Sequence, residues 1–564
     1  MRIAMVYTLV SPSSPQKNCA LSIIYPGRAA EEAGHKVSFW DARLEDDNDV
    51  RLWKNIENAN VVAISSLSGF QLGESIQVAK KCREKFPQKP IIWGGVHVTF
   101  QPIESLRENF VDFVVIGEGE IRFPRLLKAI ETGCGFKDID GIGYKLNSVG
   151  FKHSKRELSI FESNKSSVVG GVKIQTTSGG RELIKMYDSD GVYENSIVIR
   201  KRELSIDLKN QYIHPVSPTT ERLFRAAAER NEVMLQEARG CNWSPTSCEF
   251  CSVAGQYTEI DPITGKNRSV YRYIPYEHFK RDIYEIYAIK PFTFLQLEAE
   301  NSSHFIKDWR YAELLQSLGI KYHLHLRSDQ LTKENVIAKL ASTGCIRIHA
   351  GMESGNDETL KLMRKGEKVS AHYAAAKLLS KYDVGLIATW IVGNPGESEA
   401  SIMDTLRVSD DIKNIFSPTK SRATVYVLMP LPGTIAFERA KKEGWPLPKT
   451  MGGWTEMSAA FNPQLPAWIN NLYFIAGFHH NRYHKARQNW PGWWRLLILP
   501  FEFIIEKRWQ LGIKYKDRQY FEYFNFEYWC ITRLLKWRSK RSVGETQSQL
   551  PKLLERLMPG LAGH

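Results

Sequence analysis

The chain has 564 residues, 43% of them hydrophobic and 24% charged, a globular composition and too much chain for one ordinary domain, so about three are expected. Its net charge is +14, from 76 Lys and Arg against 62 Asp and Glu. Its eight cysteines exclude a disulfide-built scaffold at this length. Five of them, Cys19, Cys82, Cys134, Cys345 and Cys530, stand alone, as suits a reducing compartment. The N-terminus, MRIAMVYTLV, reads as a strand and not as a signal peptide, so a cytoplasmic protein is expected.

Along residues 1–135, short apolar runs alternate with amphipathic ones. RIAMVYTLV, KVSFWDA, VVAISSL, IIWGGV and FVVIGEG read as strands. ALSIIYPGRAAEEAGH and ESIQVAKKCREKF read as helices between them. That alternation predicts an α/β, doubly wound parallel sheet, which binds ligands beyond the carboxyl ends of its strands. Those ends carry Ser65, Ser66, Ser68 and Gly69, then Gly94, Gly95 and His97, then Gly117, Glu118 and Gly119. Residues 136–234 are expected to form a linker or insertion with some strands, and GFKDIDGIGYK within them a small hairpin.

From 235 to 445 the alternation resumes. EVMLQEAR, FTFLQLEA, YHLHLR, CIRIHAGME, GLIATWIVG and TVYVLMP predict six strands, with helices such as HFIKDWRYAELLQSLG and DETLKLMRKG between them. Six strand–helix units predict a parallel barrel or partial barrel, active at the carboxyl ends of its strands. The region 446–564 is expected to be mostly helical. Residues 480–541 hold 14 Lys and Arg against 5 Asp and Glu, with six Trp. Such a segment reads either as a membrane-surface contact or as a helical cap with a solvated basic face. Its most apolar run, WRLLILPFEFII, is interrupted by Pro500 and Glu502 and is too short to span a bilayer. No nucleic-acid-binding motif accompanies the charge.

The densest chemical signal is RGCNWSPTSCEFCSV at 239–253. Six residues separate Cys241 from Cys248, and two separate Cys248 from Cys251. A structural zinc site closes with four ligands, usually as two close pairs. Only one close pair is present here, and His278 and the His323–His325 pair are badly spaced to complete it. Three thiols on a four-iron cluster leave one iron open for chemistry.

With these residues the chain resembles the cobalamin-binding radical S-adenosylmethionine enzymes over residues 1 to about 445. The resemblance rests on GGVHVT at 94–99, GEGE at 117–120, the cysteine cluster, GMESGN at 351–356, WIVGNPGES at 390–398 and MPLPGT at 429–434, in the family's order. The family's usual first cysteine gap is three residues; here it is NWSPTS, in which Pro245 suggests a turn. The resemblance implies a Rossmann-like cobalamin domain, a partial (β/α)6 radical barrel and a helical C-terminal region. It implies that Cys241, Cys248 and Cys251 hold a [4Fe–4S] cluster whose fourth iron binds S-adenosylmethionine and yields a 5′-deoxyadenosyl radical. Phe250 would pack on the adenine side, Glu353 would make a polar contact to S-adenosylmethionine, and Gly393 and Gly396 would give the adenine close backbone approach. Arg327 would contact its carboxylate or form a structural ion pair.

The family's Asp-x-His-x-x-Gly cobalt-binding motif is absent. SSLSGFQLGES stands in its place, with Gln71 toward the corrin and His97 on the nucleotide tail or in a structural role. The implied reaction is methylation of an unactivated carbon through methylcobalamin. The alternatives are radical ring closure or oxidation, as in the anaerobic magnesium-protoporphyrin ester cyclase, and a non-catalytic cobalamin sensor. An electron donor such as flavodoxin or ferredoxin and a small, hydrophobic or lipid-like substrate are implied partners.

Overall fold

The computed structural model describes residues 1–9, 19–44, 49–145, 185–188, 191–194, 197–200, 207–243, 248–260, 267–417, 419–455, 462, 464–481 and 492–522. Pro245, Cys530 and, within the expected 136–234 insertion, residues 146–184, 189–190, 195–196 and 201–206 lie outside these residues.

The N-terminal apolar runs become β1 (Arg2–Tyr7), β2 (Lys36–Asp41), β3 (Val61–Ser65), β4 (Ile91–Gly94) and β5 (Phe113–Val115). They lie in the order β2-β1-β3-β4-β5, all parallel, as right-handed strand–helix–strand units require. β3 and β5 are buried at every residue, because helices cover both faces.

The sheet does not end at residue 135. β6 (Ile142–Lys145), β7 (Lys185–Asp188), β8 (Gly191–Glu194) and β9 (Ile197–Arg200) extend it antiparallel in the order β6-β9-β8-β7. GFKDIDGIGYK is therefore not a hairpin: a 3₁₀ turn, Phe136–Asp138, leads into β6, which pairs with β5. Local periodicity could not show this, because β6 and β9 are far apart in sequence.

The second sheet holds β10 (Val233–Leu235), then, beyond four short ribbon strands, β15 (Phe294–Leu297), β16 (Lys321–His325), β17 (Cys345–Glu353), β18 (Gly385–Val392) and β19 (Ser421–Val427). Its order β10-β15-β16-β17-β18-β19 is sequential and parallel throughout, matching the six expected strands. EVMLQEAR is not one strand, however. It breaks after β10, and β11 (Ala238–Arg239) leaves the barrel to pair antiparallel with β14 (Arg272–Tyr273). β12 (Thr258–Ile260) and β13 (Asn267–Ser269) form a separate ribbon.

After the barrel the chain returns to the first sheet. Met451 and Trp454 are fully buried in one cluster with Leu72, Trp93 and Val98. Gly69 N–H donates to the Trp454 carbonyl at 3.1 Å. Helices Ala467–Asn481, Gly492–Tyr515 and Gln519–Glu522 follow, as expected for the tail. Among the described residues no helix is long and apolar enough to cross a membrane.

Candidate functional site

The cysteine segment is pinned at each end. Gly240 is left-handed (φ +83°), and a Cβ there would stand 2.0 Å from the Val270 carbonyl oxygen, so only glycine fits before Cys241. Its N–H donates to Glu300 Oε2 at 3.1 Å, and Asn242 Nδ2 donates to Ser303 Oγ at 3.0 Å. Trp243 donates from Nε1 to the Arg364 carbonyl at 3.1 Å and lies under the Arg327 guanidinium, 4.1 Å from ring centroid to Cζ.

At the other end, Cys251 N–H donates to the Cys248 carbonyl at 3.0 Å. Between them Glu249 N–H donates to the Met363 carbonyl at 2.8 Å, and its carboxylate meets Arg439 at 2.9 Å. Arg439 also donates to the Pro395 carbonyl at 3.3 Å. One arginine thus ties the cysteine loop to WIVGNPGES from the helix that follows MPLPGT. Phe250 is half-buried beside this junction.

Two of the other expected contacts, Glu353 and Arg327, stand close enough to the Cys248 thiol to act on its charge. Glu353 ends β17 at a register shift, with φ +65°, a conformation rare for a residue with a Cβ. Its Oε1 accepts from Lys365 Nζ at 3.2 Å, both side chains being buried. Arg327 is held by Asp329 (3.1 and 3.2 Å), by Glu367 (3.4 Å) and by the Lys365 carbonyl (3.0 Å). Gly393 and Gly396 are both left-handed, and Glu397 Oε2 accepts from the N–H groups of Gly393 (2.8 Å) and Asn394 (3.0 Å).

Three free cysteines close together test the fit for a cluster. Burial pushes the Cys248 thiol up to about 11 and the Cys251 thiol up to about 12, the latter helped by the neighbouring Cys248. Burial also raises Cys241. Such thiols ionise when a metal binds them, and Lys365 and Arg327 stand close enough to favour the negative charge. The donor set fits an iron–sulfur cluster.

On the first sheet, Ser65 pairs with Gly94 at the carboxyl ends of β3 and β4. Gly95 (φ +96°) must be glycine, since a Cβ would stand 2.4 Å from the Ser66 carbonyl oxygen, whereas a Cβ on Gly94 would meet nothing within 4 Å. Ser68 Oγ bonds His97 Nδ1 at 2.9 Å. His97 Nε2 is buried without a hydrogen-bond partner, and burial pushes the ring down to about 4, so it is neutral. Open space at Gly94 and an unpartnered imidazole nitrogen suit a bulky nitrogenous ligand such as a corrin.

Two expected cobalamin contacts have other partners. Gln71 is 2% exposed; its oxygen accepts from Leu67 N–H at 3.0 Å and its amide donates to the Thr8 carbonyl at 3.3 Å. Glu118 is held by Arg239 at 2.8 Å and Arg272 at 3.0 Å, while Arg239 also pairs with Glu120. Burial opposes the Glu118 charge, yet the two guanidiniums hold its carboxyl below the usual range. GEGE thus joins the first sheet to the ribbon that carries Arg239-Gly240-Cys241. Gly117 N–H donates to Thr99 Oγ1 at 3.0 Å, and Gly119 opens the helix Gly119–Thr132, close against Pro26.

Sequence reasoning missed Trp243, Arg239, Arg272, Arg439 and Lys365. The Arg-Gly before Cys241, opposite two acids in GEGE, was the available signal for the Arg239 pairing.

Further inside the barrel, Glu237 Oε1 accepts from Ser302 Oγ at 2.6 Å and Oε2 from Ala299 N–H at 3.2 Å. Burial pushes its carboxyl up to about 8, the Ser302 hydroxyl pulling the other way. Between the unfolded value of about 4.3 and that value, the unfolded chain holds fewer protons than the folded one. Stability is therefore lost as pH rises through this window. Glu237→Gln is expected to shrink the loss between pH 5.5 and pH 8, read as the difference in urea midpoints. Part of the slope will remain, because Glu300 and Glu397 are each raised to about 7 by burial.

Two family models match the chain: the B12 binding domain over residues 13–127 and the Radical SAM superfamily over residues 238–408. The chain belongs to the cobalamin-binding radical S-adenosylmethionine enzymes. Its cofactors are cobalamin, a [4Fe–4S] cluster and S-adenosylmethionine.

Among curated relatives, the anaerobic magnesium-protoporphyrin IX monomethyl ester cyclase of Synechocystis sp. is 23% identical, over 66% of this chain and 64% of its own length. An uncharacterized methyltransferase of Pyrococcus horikoshii is 24% identical, over 72% of this chain and 75% of its own. Among solved structures, the cobalamin-dependent S-adenosylmethionine radical enzyme OxsB with aqua-cobalamin bound superposes with a TM-score of 0.60 at 13% identity, over 99% of this chain and 84% of that one. The radical S-adenosylmethionine methyltransferase TsrM from Kitasatospora setae, with cobalamin and a [4Fe–4S] cluster bound, gives 0.53 at 14%, over 79% and 75%. Both are likenesses of fold.

Proposed function

We propose that this radical S-adenosylmethionine enzyme is a cobalamin-dependent C-methyltransferase acting on an unactivated carbon of a small, hydrophobic or lipid-like substrate. One observation carries the reading. The helix Val253–Gln256, immediately after Cys251, lies against the helix Val96–Phe100, immediately after the Gly94-Gly95 turn. The radical-generating loop and the corrin-facing rim are thereby neighbours, as transfer between the two cofactors requires. When bound, the cluster with S-adenosylmethionine supplies hydrogen-atom abstraction, and cobalamin supplies a transferable methyl group.

The chain's own residues bind and position. Cys241, Cys248 and Cys251 hold the cluster. Glu353, presented by its left-handed backbone and steadied by Lys365, offers S-adenosylmethionine a carboxylate, and Phe250, Gly393 and Gly396 form its adenine side. Ser65, Ser66, Ser68, Gly69, Gly94, Gly95, His97, Gly117 and Gly119 line the corrin side. No imidazole ligates cobalt in this reading, since the Asp-x-His-x-x-Gly motif is absent, and His97, with Nδ1 bonded to Ser68, is assigned to the nucleotide tail.

Flavodoxin or ferredoxin would supply the electron. The helix Gly492–Tyr515 exposes Phe503 (63%) and Tyr515 (58%) beside Lys507 and Lys514, which supports a peripheral membrane contact and an apolar substrate.

Methyl transfer has a signature that ring closure lacks. It releases S-adenosylhomocysteine together with 5′-deoxyadenosine. The anaerobically reconstituted holoenzyme, reduced and given S-adenosylmethionine with lipid or tetrapyrrole candidates, is expected to form the two in roughly equal amounts. Substrate-dependent deoxyadenosine alone would favour the cyclase reading. Formation of neither product would overturn the enzyme reading at this site.

A further inference from the structure

The inward face of the barrel carries a group of ligating side chains that the cofactor sites leave unused. His323 and His325 stand two residues apart on β16, so both imidazoles project from the same face. The intervening Leu324 and the preceding Tyr322 are fully buried on the other face, Tyr322 packing 5.8 Å from the Phe305 ring. Glu298 follows β15, the neighbouring strand, in which Gln296 is registered with His323.

The ligating atoms of Glu298, His323 and His325 lie within 4.8 Å of one another. Each His Nε2 is 3.9 Å from Glu298 Oε1, which is too long for a hydrogen bond. Two donors that share one tetrahedral ion at roughly 2.0–2.2 Å each stand about 3.3–3.6 Å apart, so each pair need close by only a few tenths of an ångström to hold one. Both Nε2 atoms are buried without a hydrogen-bond partner, and His323 is only 7% exposed. Native interiors seldom leave one such nitrogen unpaired, and here two converge on one carboxylate. Glu298 Oε1 also accepts from Gln296 Nε2, the kind of outer contact that orients a ligating carboxylate. The His349 ring lies 4.5 Å from the His325 ring and closes one side.

We propose that Glu298, His323 and His325 form a divalent-cation site inside the barrel, separate from the cysteine cluster and suited to Zn²⁺. Two imidazoles and a carboxylate are the donor set of catalytic zinc and of open-sided ferrous centres. Three protein ligands leave a position free, and it opens into the barrel interior. An oxygen or nitrogen donor on the substrate can occupy it, which would fix the substrate beneath the strand ends that carry the cluster and Glu353.

The test does not depend on turnover. The holoenzyme, with its thiols occupied by the cluster, is dialysed against buffered Zn²⁺, and bound zinc is counted by mass spectrometry. One zinc per chain is expected, with only nitrogen and oxygen neighbours at the zinc X-ray edge. Glu298→Gln and His325→Gln are each expected to weaken zinc binding by about 100-fold or more. No zinc retained by the wild type, sulfur in its shell, or unchanged binding in both variants would overturn the site. The wild-type count and edge spectrum decide the matter even if a variant fails to fold, and neither bears on methylation.

Discussion

Arg239→Ala is expected to cost about 3–5 kcal/mol, the range for removing one partner from a buried ion pair. Arg239 pairs with Glu118 and Glu120, and all three side chains are 5–7% exposed. Alanine would leave two carboxylates in a dry junction with one of their guanidiniums gone. Arg272 would remain on Glu118. The guanidinium also lies over the Tyr25 ring at 5.4 Å, so packing is lost with the charge. Urea denaturation reads the effect directly. Adding Glu120→Gln to the Arg239→Ala chain is expected to recover part of the loss, because a neutral buried group costs less than an unpaired charge. Arg239→Lys should fall between wild type and alanine, since an ammonium cannot span two carboxylates as a planar fork does. Deoxyadenosine formation should fall along the same series, because Cys241 is only two residues away.

Cys248→Ala is expected to abolish the radical step. Two thiolates cannot hold a four-iron cluster that three share, so retained iron should fall below about a tenth of wild type and deoxyadenosine below about 1%. Iron analysis and the product assay on anaerobically reconstituted protein check both. Cys134→Ala is the control. Cys134 is exposed, lies outside the cluster and should leave iron and product unchanged. Iron retained by Cys248→Ala at the wild-type level would remove that thiol from the cluster.

The parallel strands of both sheets were legible in the sequence because many are buried on two faces and read as continuous apolar runs such as VVAIS and GLIATWIV. The cysteine cluster and the glycine-bearing motifs were legible because each is local. What escaped was pairing across distance. β6 joins β5 and β9 through hydrogen bonds that no period reveals, and GFKDIDGIGYK looked locally like a turn between strands. EVMLQEAR read as a single strand because its apolar residues continue past the point where β11 turns away to meet Arg272. Glu118 and Gln71 sit where ligand contacts were expected, but their partners, Arg239 and Thr8, are 121 and 63 residues away. The His323–His325 pair was weighed only as a completion of the cysteine site; its carboxylate partner lies on another strand and is invisible in a spacing count.

The mooring of Trp243 bears on how this segment varies. A Cβ on Gly366 (φ +68°) would stand 1.8 Å from the Trp243 ring, so the indole sits directly on that backbone, with Arg327 on it as well. Beyond residues 244–247, Glu249 is fastened to Met363 and Arg439. The chain is therefore fixed at Trp243 and at Glu249, on either side of residues 244–247, and these two fixed points set where Cys241 and Cys248 stand. Each doubling of the length between them adds only about 0.6 kcal/mol of closure entropy. The first cysteine gap can thus lengthen or shorten across relatives with the thiols held in place, and a rule that recognises these proteins by a fixed three-residue gap would pass over chains like this one.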